Sequence, residues 1–249
     1  GKDLTMGLGN GQSADSFILE RIKDGVVTTV SEDSSHVIRR TAGGLSLTLV
    51  SPDQALDGVK YRFRDSSSES GFVSDSYKLS VPAPIYVDSG VSSNGNGSSW
   101  ATAKKTIGAA LDIAVTGQQI WIAEGTYYPV SQSSTERGAF LSLPQGVSLI
   151  GGFAGDESSL NERAWYLHPT RLSGDIGQTG VVGDNSRILL QVGDPIEAPV
   201  TLATVIDGLI FSDANQNLPR WDAALNLVGA SPLVRNCRFE NNRGYLGGA

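Results

Sequence analysis

Residues 85–129 read IYVDSGVSSNGNGSSWATAKKTIGAALDIAVTGQQIWIAEGTYYP, and this stretch decides the fold of the longer part of the chain. It predicts a short strand, a loop rich in Gly, Asn and Ser, one amphipathic helix and then the first of a series of strands. The apolar residues of the helix recur at steps of three and four and so share one face, namely Ala103, Ile107, Ala110, Leu111 and Ala114. Because only strands are predicted after it, we expect this helix to cover the end of a stack of strands.

The predicted helix spans about residues 102–116, between two recognisable end signals. Ser99 or Thr102 can cap its first turn, since a hydroxyl accepts hydrogen bonds from the free backbone N–H groups there. Gly117 is the predicted end, because glycine readily adopts the left-handed conformation that terminates many helices. The segment after it, residues 119–127, has the alternation of a strand.

The motifs along residues 86–249 resemble those of a known family. They read SSW-A-x5-I-x2-AL-x2-A-x2-G-x2-IWIAEGTYYP, GVSLIGGFAGDES, NERAW, TRLSGDIG and DNS, with FENN at 239–242 and GGA at 247–249. In this order they resemble secreted bacterial right-handed parallel β-helix proteins of the pectin-lyase-like superfamily, in the branch similar to polymorphic outer-membrane and surface-anchored proteins. The resemblance implies an extracellular or outer-cell-surface location and a right-handed parallel β-helix over residues 84–249.

An internal repeat supports a stack of similar turns. Residues 206–214 align with residues 234–242 at an offset of 28 residues. This alignment places Ile206 on Val234, Leu209 on Cys237 and Phe211 on Phe239 as an inward column. The segments 147–150, 188–192 and 225–228 are predicted to form the other faces of the turns.

Residues 1–83 predict a separate all-β domain with seven alternating strands. Turn-forming pairs such as Asn10-Gly11 and Asp24-Gly25 separate the strands, which are predicted at residues 4–8, 17–22, 26–30, 37–39, 45–49, 59–63 and 77–81. The stretch LSLTLVSPDQALDGVKYRFRD resembles the end of a bacterial immunoglobulin-like domain, which implies a β-sandwich. In that resemblance Tyr61 is the corner tyrosine, whose hydroxyl bonds the backbone a few residues upstream. We expect this domain to act as a spacer, with carbohydrate binding as the sharper alternative.

Composition narrows the possible functions. The formal net charge of -7 argues against a nucleic-acid partner, which requires a basic surface. No apolar run reaches the length of about twenty residues that a membrane-spanning helix needs. The single cysteine, Cys237, excludes a disulfide within these residues and is expected to be a buried, inert thiol. No cofactor is predicted.

Catalysis on a β-helix would require converging charged side chains. A lyase would need a Ca²⁺ site built from carboxylates together with an Arg or Lys base, and a glycoside hydrolase would need two neighbouring carboxylates. The candidates for such roles are Asp175, Asp184, Asp207, Asp213, Asp222, Arg235, Arg238 and Glu240. The alignment places Asp207 over Arg235 and Asp213 over Asn241, facing outward or in turns, and a solvated ion pair is the expected state of Asp207 with Arg235.

Two functions follow from these observations. The first is a non-catalytic adhesion or glycan-contacting scaffold, whose partner is a polysaccharide or a host or cell-surface glycoprotein. The second is a carbohydrate-active enzyme, either a polysaccharide lyase or a glycoside hydrolase. An enzyme requires several candidate residues to meet in one cleft, whereas a scaffold leaves them scattered.

Overall fold

The computed structural model describes residues 2–7, 16–33, 36–41, 44–49, 52, 54–66, 72–193, 204–217 and 224–244. The chain divides into two compact units, Gly1–Pro82 and Ala83–Ala249, one residue from the predicted boundary. Both units consist mainly of strands, which are antiparallel in the first unit and parallel in the second. The described residues contain one short α-helix.

The first unit contains two antiparallel sheets. One has the order β1-β5-β4, formed by Lys2–Gly7, Gly44–Leu49 and His36–Thr41. The other has the order β3-β2-β6-β7, formed by Val26–Val30, Phe17–Lys23, Lys60–Asp65 and Tyr77–Lys78. The strands therefore occupy nearly the predicted positions, although the last is shorter than predicted. The Asn10-Gly11 pair lies outside the described residues.

Buried side chains from both sheets share one hydrophobic core, which includes Leu19, Leu47 and Phe63. Alternation along β6 explains this arrangement, because Tyr61 and Phe63 point inward while Arg62 and Arg64 are half-buried on the other face. The Tyr61 hydroxyl lies 3.4 Å from Nε2 of His36. Among the described residues this hydroxyl contacts a side chain on β4 rather than the backbone a few residues upstream.

The second unit contains three parallel sheets. Sheet 1 has the order β18-β15-β12-β9-β8, formed by Leu233–Arg235, Val205–Asp207, Ser148–Phe153, Gln119–Ala123 and Ile85–Val87. Sheet 2 has the order β10-β13-β16-β19, formed by Gly125–Tyr127, Thr170–Ser173, Leu209–Ser212 and Arg238–Glu240. Sheet 3 has the order β11-β14-β17, formed by Leu141–Leu143, Leu190–Val192 and Leu225–Leu227. From β9 onward the chain visits sheets 1, 2 and 3 repeatedly in that order, so each circuit forms one turn of a coil.

Like residues stack on like residues inside the coil. In sheet 1, Ile206 pairs with Val234, and in sheet 2, Phe211 pairs with Phe239. The two phenyl rings are stacked with their centroids 5.0 Å apart, which confirms the predicted offset of 28 residues at these positions. Segment 147–150 does not form another face as predicted, because β12 pairs directly with β15 in sheet 1.

The helix is shorter than predicted. Helix α1 covers only Ile107–Leu111 and is capped by the Thr106 hydroxyl, which accepts a hydrogen bond from the Ala109 N–H at 3.2 Å. The prediction of residues 102–116 was wrong because Lys104 is extended and pairs with Val87 of β8. Ile107 and Ala110 are nevertheless fully buried in the core of the coil, where the helix contacts β8, β9 and β11.

Replacement of Phe211 by alanine should destabilise the second unit by about 3–5 kcal/mol, because the ring is fully buried and its removal leaves a cavity. Phe239 stacks on it but is 37% exposed, so Phe239→Ala should have a clearly smaller effect. Urea denaturation of both variants measures the difference. Equal losses of stability would contradict the difference in burial between the two stacked rings.

Candidate functional site

A long loop interrupts one corner of the coil. The corner between sheet 1 and sheet 2 takes a single residue at Glu124 and again at Gly208. In the intervening turn the corner is instead formed by residues 154–169, which we call the aromatic loop. This loop connects β12 of sheet 1 to β13 of sheet 2, and it lies beside the outer faces of both sheets.

Backbone hydrogen bonds to carboxylates shape the aromatic loop. Glu157 accepts hydrogen bonds from the N–H groups of residues 154–156, at 2.7 to 3.2 Å. Burial alone would raise the pKa of Glu157, but these bonds outweigh it and hold the pKa below its usual range. Glu162 accepts a bond from the Ser158 N–H at 2.7 Å, and the Trp100 indole donates to the Glu157 carbonyl at 2.9 Å. These hydrogen bonds therefore hold the aromatic loop in one defined conformation.

A buried carboxylate anchors the same loop to sheet 1. Asp207 Oδ1 accepts hydrogen bonds from Arg163 Nη2 at 2.7 Å and from Asn236 Nδ2 at 2.8 Å. Its Oδ2 accepts from Arg235 Nε at 2.8 Å. We call these four residues the Asp207 cluster. Arg163 belongs to the aromatic loop, Asp207 to β15 and Arg235 to β18, so one carboxylate connects three consecutive turns of the coil.

Asp207 does face outward from sheet 1, as the repeat alignment predicts, but it is not solvated. Its register neighbour in β12 is Ile150, and the aromatic loop contacts Asp207 through Arg163 and packs Leu160 against the cluster that contains Ile150. The side chains of Asp207 and Arg163 are only 3% and 6% exposed. The expectation of a solvated pair between Asp207 and Arg235 was therefore wrong, because sequence alignment of the turns does not include the loop that covers them.

Electrostatics keeps Asp207 ionised. Burial alone would raise the pKa of its carboxyl, but the hydrogen bonds and charges of Arg163, Asn236 and Arg235 outweigh burial and hold this pKa below its usual range. A carboxyl that stays ionised at neutral pH has no proton to donate. Asp207 is thus unsuited to act as a general acid, and its oxygens are already occupied by donors.

Trp165 lies directly on two glycines. A Cβ added at Gly152 would overlap the Cα of Trp165, and one added at Gly208 would lie 3.3 Å from its Cβ. Both glycines have positive φ, 89° and 73°, which side chains disfavour. The absence of side chains on sheet 1 and its corner therefore allows the aromatic loop to approach closely.

A groove opens between the aromatic loop and the two sheets. Its volume is about 300 Å³, and its walls are formed by Trp165, Tyr166, Pro169, Gly208, Ile210, Asn236, Cys237 and Arg238. Trp165 is 41% exposed and Tyr166 is 71% exposed, and their rings meet edge to face with centroids 5.9 Å apart. Burial raises the pKa of the Cys237 thiol, so this half-buried wall residue is neutral at neutral pH.

A second cluster with an arginine surplus lies on sheet 2. Glu240 Oε1 lies 2.5 Å from Arg238 Nε, and its Oε2 lies 2.9 Å from Arg171 Nη1. We call these three residues the Glu240 cluster. Arg171 and Arg238 are both register neighbours of Ile210, which forms part of the groove wall. The carboxylate of Glu240 is thus shared between two guanidinium groups.

The remaining acidic candidates lie in corners and turns. Asp213 has positive φ and its Oδ2 accepts from the Ser173 hydroxyl at 3.3 Å. Asp175 accepts from the Gly180 N–H and Asp184 from the Gln178 N–H, both at 2.8 Å. Asp222 and the GGA motif at 247–249 lie outside the described residues. The candidate residues therefore divide into the Asp207 cluster, the Glu240 cluster and separate turn positions.

The described part of the chain contains no group of three or more His, Cys, Asp or Glu side chains placed to hold a metal ion. The acids of the two clusters are each held by arginines, which compete with a cation for the same oxygens. The donor set around the groove therefore does not fit the Ca²⁺ site that a lyase would require.

The two aromatic residues of the groove are not among the candidates predicted from the sequence. Trp165 and Tyr166 belong to the stretch AWYLHP, in which three apolar residues in succession interrupt a polar segment and precede Pro169. In the structure Leu167 is exposed as well, at 62%. Consecutive exposed apolar residues in a loop are an available signal for a contact surface.

Comparisons with models of known protein families, with curated proteins and with solved structures found no match to this chain. Within the described residues, no helix has the length and apolar character needed to span a membrane.

Replacement of Asp207 by asparagine should destabilise the second unit by about 3 kcal/mol at neutral pH, because two buried or half-buried guanidinium groups lose their counter-charge. The folded pKa of Asp207 is depressed, so its stabilisation is complete above the unfolded pKa and is lost as pH falls through the folded pKa. The difference between wild type and variant should therefore shrink below about pH 4. Urea denaturation at several pH values measures it.

Glu124→Gln serves as the matched control, because Glu124 is 54% exposed and its ion-pair partner among the described residues is the partly exposed His168. Its effect should stay within about 1 kcal/mol. An equally small effect of Asp207→Asn at neutral pH would contradict the anchoring role of Asp207.

Proposed function

We propose that the chain is a secreted or cell-surface bacterial scaffold that contacts glycans without catalysing a reaction on them. In this proposal residues 84–249 form a right-handed parallel β-helix of the pectin-lyase-like kind, and residues 1–83 form an immunoglobulin-like spacer. The motif resemblance over residues 86–249 and the repeated visits to three parallel sheets support the β-helix. Two antiparallel sheets around one core support the spacer.

The observation that carries the functional proposal is the exposed Trp165–Tyr166 pair beside the groove. Aromatic side chains combine a large apolar face with a polar tip, which suits a ligand that has apolar faces and polar edges. A sugar ring has this character, since its C–H groups form flat faces and its hydroxyl groups point outward. The side chains of Asn236 and Arg238 supply hydrogen-bond donors to the same groove.

The glycan is best contacted by a preformed surface. Carboxylate bonds shape the aromatic loop, and the Asp207 cluster anchors it, so little conformational entropy is lost when a ligand binds. A groove volume of about 300 Å³ is at the lower end of the range for ligand sites and suits a short segment of a saccharide chain.

A non-catalytic role agrees with the state of the acidic residues near the groove. Hydrolysis needs one carboxyl that is protonated and a second that is free to act as base or nucleophile. Asp207 is ionised and accepts three hydrogen bonds, and Glu240 is shared between Arg171 and Arg238. The enzyme alternative would therefore need a pair of acids other than these two.

Binding of wild-type protein to an array of neutral and acidic polysaccharides tests the proposal. Trp165→Ala and Tyr166→Ala should each weaken binding by about fivefold or more, since each removes an aromatic contact face. Phe140→Ala is the matched control, because Phe140 is 37% exposed in the same unit but does not line the groove, and it should leave binding unchanged.

The same samples should be assayed for unsaturated products and for new reducing ends, with and without Ca²⁺. Binding without turnover is the expected result. Turnover that is lost on Asp213→Asn, in a variant whose stability is unchanged, would support the enzyme alternative. Binding that survives both aromatic substitutions, or its complete absence, would refute the proposed contact surface.

A further inference from the structure

We propose that the groove prefers a glycan that carries anionic groups, either carboxylate or sulfate, over a neutral glycan of the same backbone. This inference rests on the proposed function, because it specifies the ligand class of the same groove. It is carried by the distribution of arginines around the groove.

The arginines outnumber the acids on both sides of the groove. In the Asp207 cluster, Arg163 and Arg235 share one carboxylate. In the Glu240 cluster, Arg171 and Arg238 share another. The two clusters together contain four guanidinium groups and two carboxylates, and so carry two net positive charges. The chain as a whole has a formal net charge of -7.

Arg238 brings this surplus to the groove. Its side chain is 63% exposed and lines the groove, while Glu240, its partner, is held from the other side by Arg171. The register places Arg171, Ile210 and Arg238 in one row across sheet 2. A ligand against Ile210 therefore lies between two guanidinium groups that share a single counter-charge.

Asn236 connects the groove to the second source of positive charge. It lines the groove and donates to Asp207, whose negative charge is already matched by Arg163 and Arg235. Nη1 of Arg163 is buried and has no hydrogen-bond partner among the described residues. The negative charge of Asp207 is therefore not available to neutralise the arginines of the Glu240 cluster. The positive electrostatic potentials of the two clusters add in the groove.

Within the part of the chain that the structure describes, the other titratable groups around the groove do not reverse this balance. Glu124, whose Oε2 lies 3.0 Å from Nδ1 of His168 at the end of the aromatic loop, adds one formal negative charge and lowers the surplus of the two clusters from two positive charges to one. The Cys237 thiol has a raised pKa because it is buried, and so it adds no negative charge at neutral pH. An acidic saccharide can thus approach this groove although the chain as a whole repels it.

Guanidinium groups suit this ligand by geometry as well as charge. Their planar fork of N–H donors matches the oxygens of carboxylate and sulfate groups. The aromatic pair is expected to contact the sugar ring while Arg238 contacts the acidic substituent. The groove volume, the aromatic pair and the charge of Arg238 therefore all select for one short segment of an acidic saccharide.

The test uses hexasaccharides of glucan, mannan and galactan, each in an unmodified form, a form oxidised at C6 to the carboxylate, and a form sulfated at C6. Affinity is measured by calorimetry with the full chain. For the backbone that binds best, an anionic form should bind about tenfold tighter than the neutral form at low salt, and added salt should reduce this ratio.

Arg238→Gln should lower the affinity for the anionic form about fivefold more than the affinity for the neutral form, because the glutamine amide keeps a hydrogen-bond donor but not the charge. Lys23→Gln removes the same charge from an exposed position of the first unit and should change neither. Equal affinity for neutral and anionic forms, both sensitive to Trp165→Ala, would refute the anion preference and leave the proposed function standing. No binding to any hexasaccharide would refute both.

Discussion

The buried carboxylate of Asp207 is the interaction on which the groove depends. It is placed outward on β15, where a charged side chain would normally meet water, and it is covered instead by the aromatic loop. A buried ion requires compensating partners, and two parts of the coil supply them: Arg163 from the aromatic loop, and Arg235 and Asn236 from the last turn. The requirement to satisfy one charge thereby fixes where the loop lies, and the loop carries Trp165 and Tyr166 to the groove.

The coil beneath the loop follows from simple stacking. The apolar side chains that point inward from each turn are buried by the neighbouring turns. Parallel strand pairing provides hydrogen bonds to the backbone N–H and C=O groups between turns. Such a coil leaves its outer faces and corners free to vary. The corner between sheets 1 and 2 is one residue long in two turns and becomes the aromatic loop in another, so the groove occurs where the repeat is interrupted.

Periodic features could be predicted from the sequence, whereas the site depends on a feature outside the repeat. The strands of the first unit and the offset that stacks Phe211 on Phe239 were predictable, because apolar alternation reports burial directly. The helix boundary was missed since pairing of Lys104 with β8 overrides the helical pattern. The burial of Asp207 was missed because Arg163 lies 44 residues earlier and only folding brings them together. Trp165 and Tyr166 carried a local signal, but their place beside Arg238 required the structure.

The central claim is that a saccharide lies against the indole of Trp165. The most direct measurement is an NMR titration with an acidic oligosaccharide. The protein carries ¹⁵N-labelled tryptophan, and the indole N–H signals are followed. We predict that the Trp165 signal shifts in a saturable manner. The signals of Trp121 and Trp100 should stay fixed, because their indoles donate within the fold to Gln119 and to the Glu157 carbonyl. Saturable binding that leaves the Trp165 signal unmoved would contradict the account.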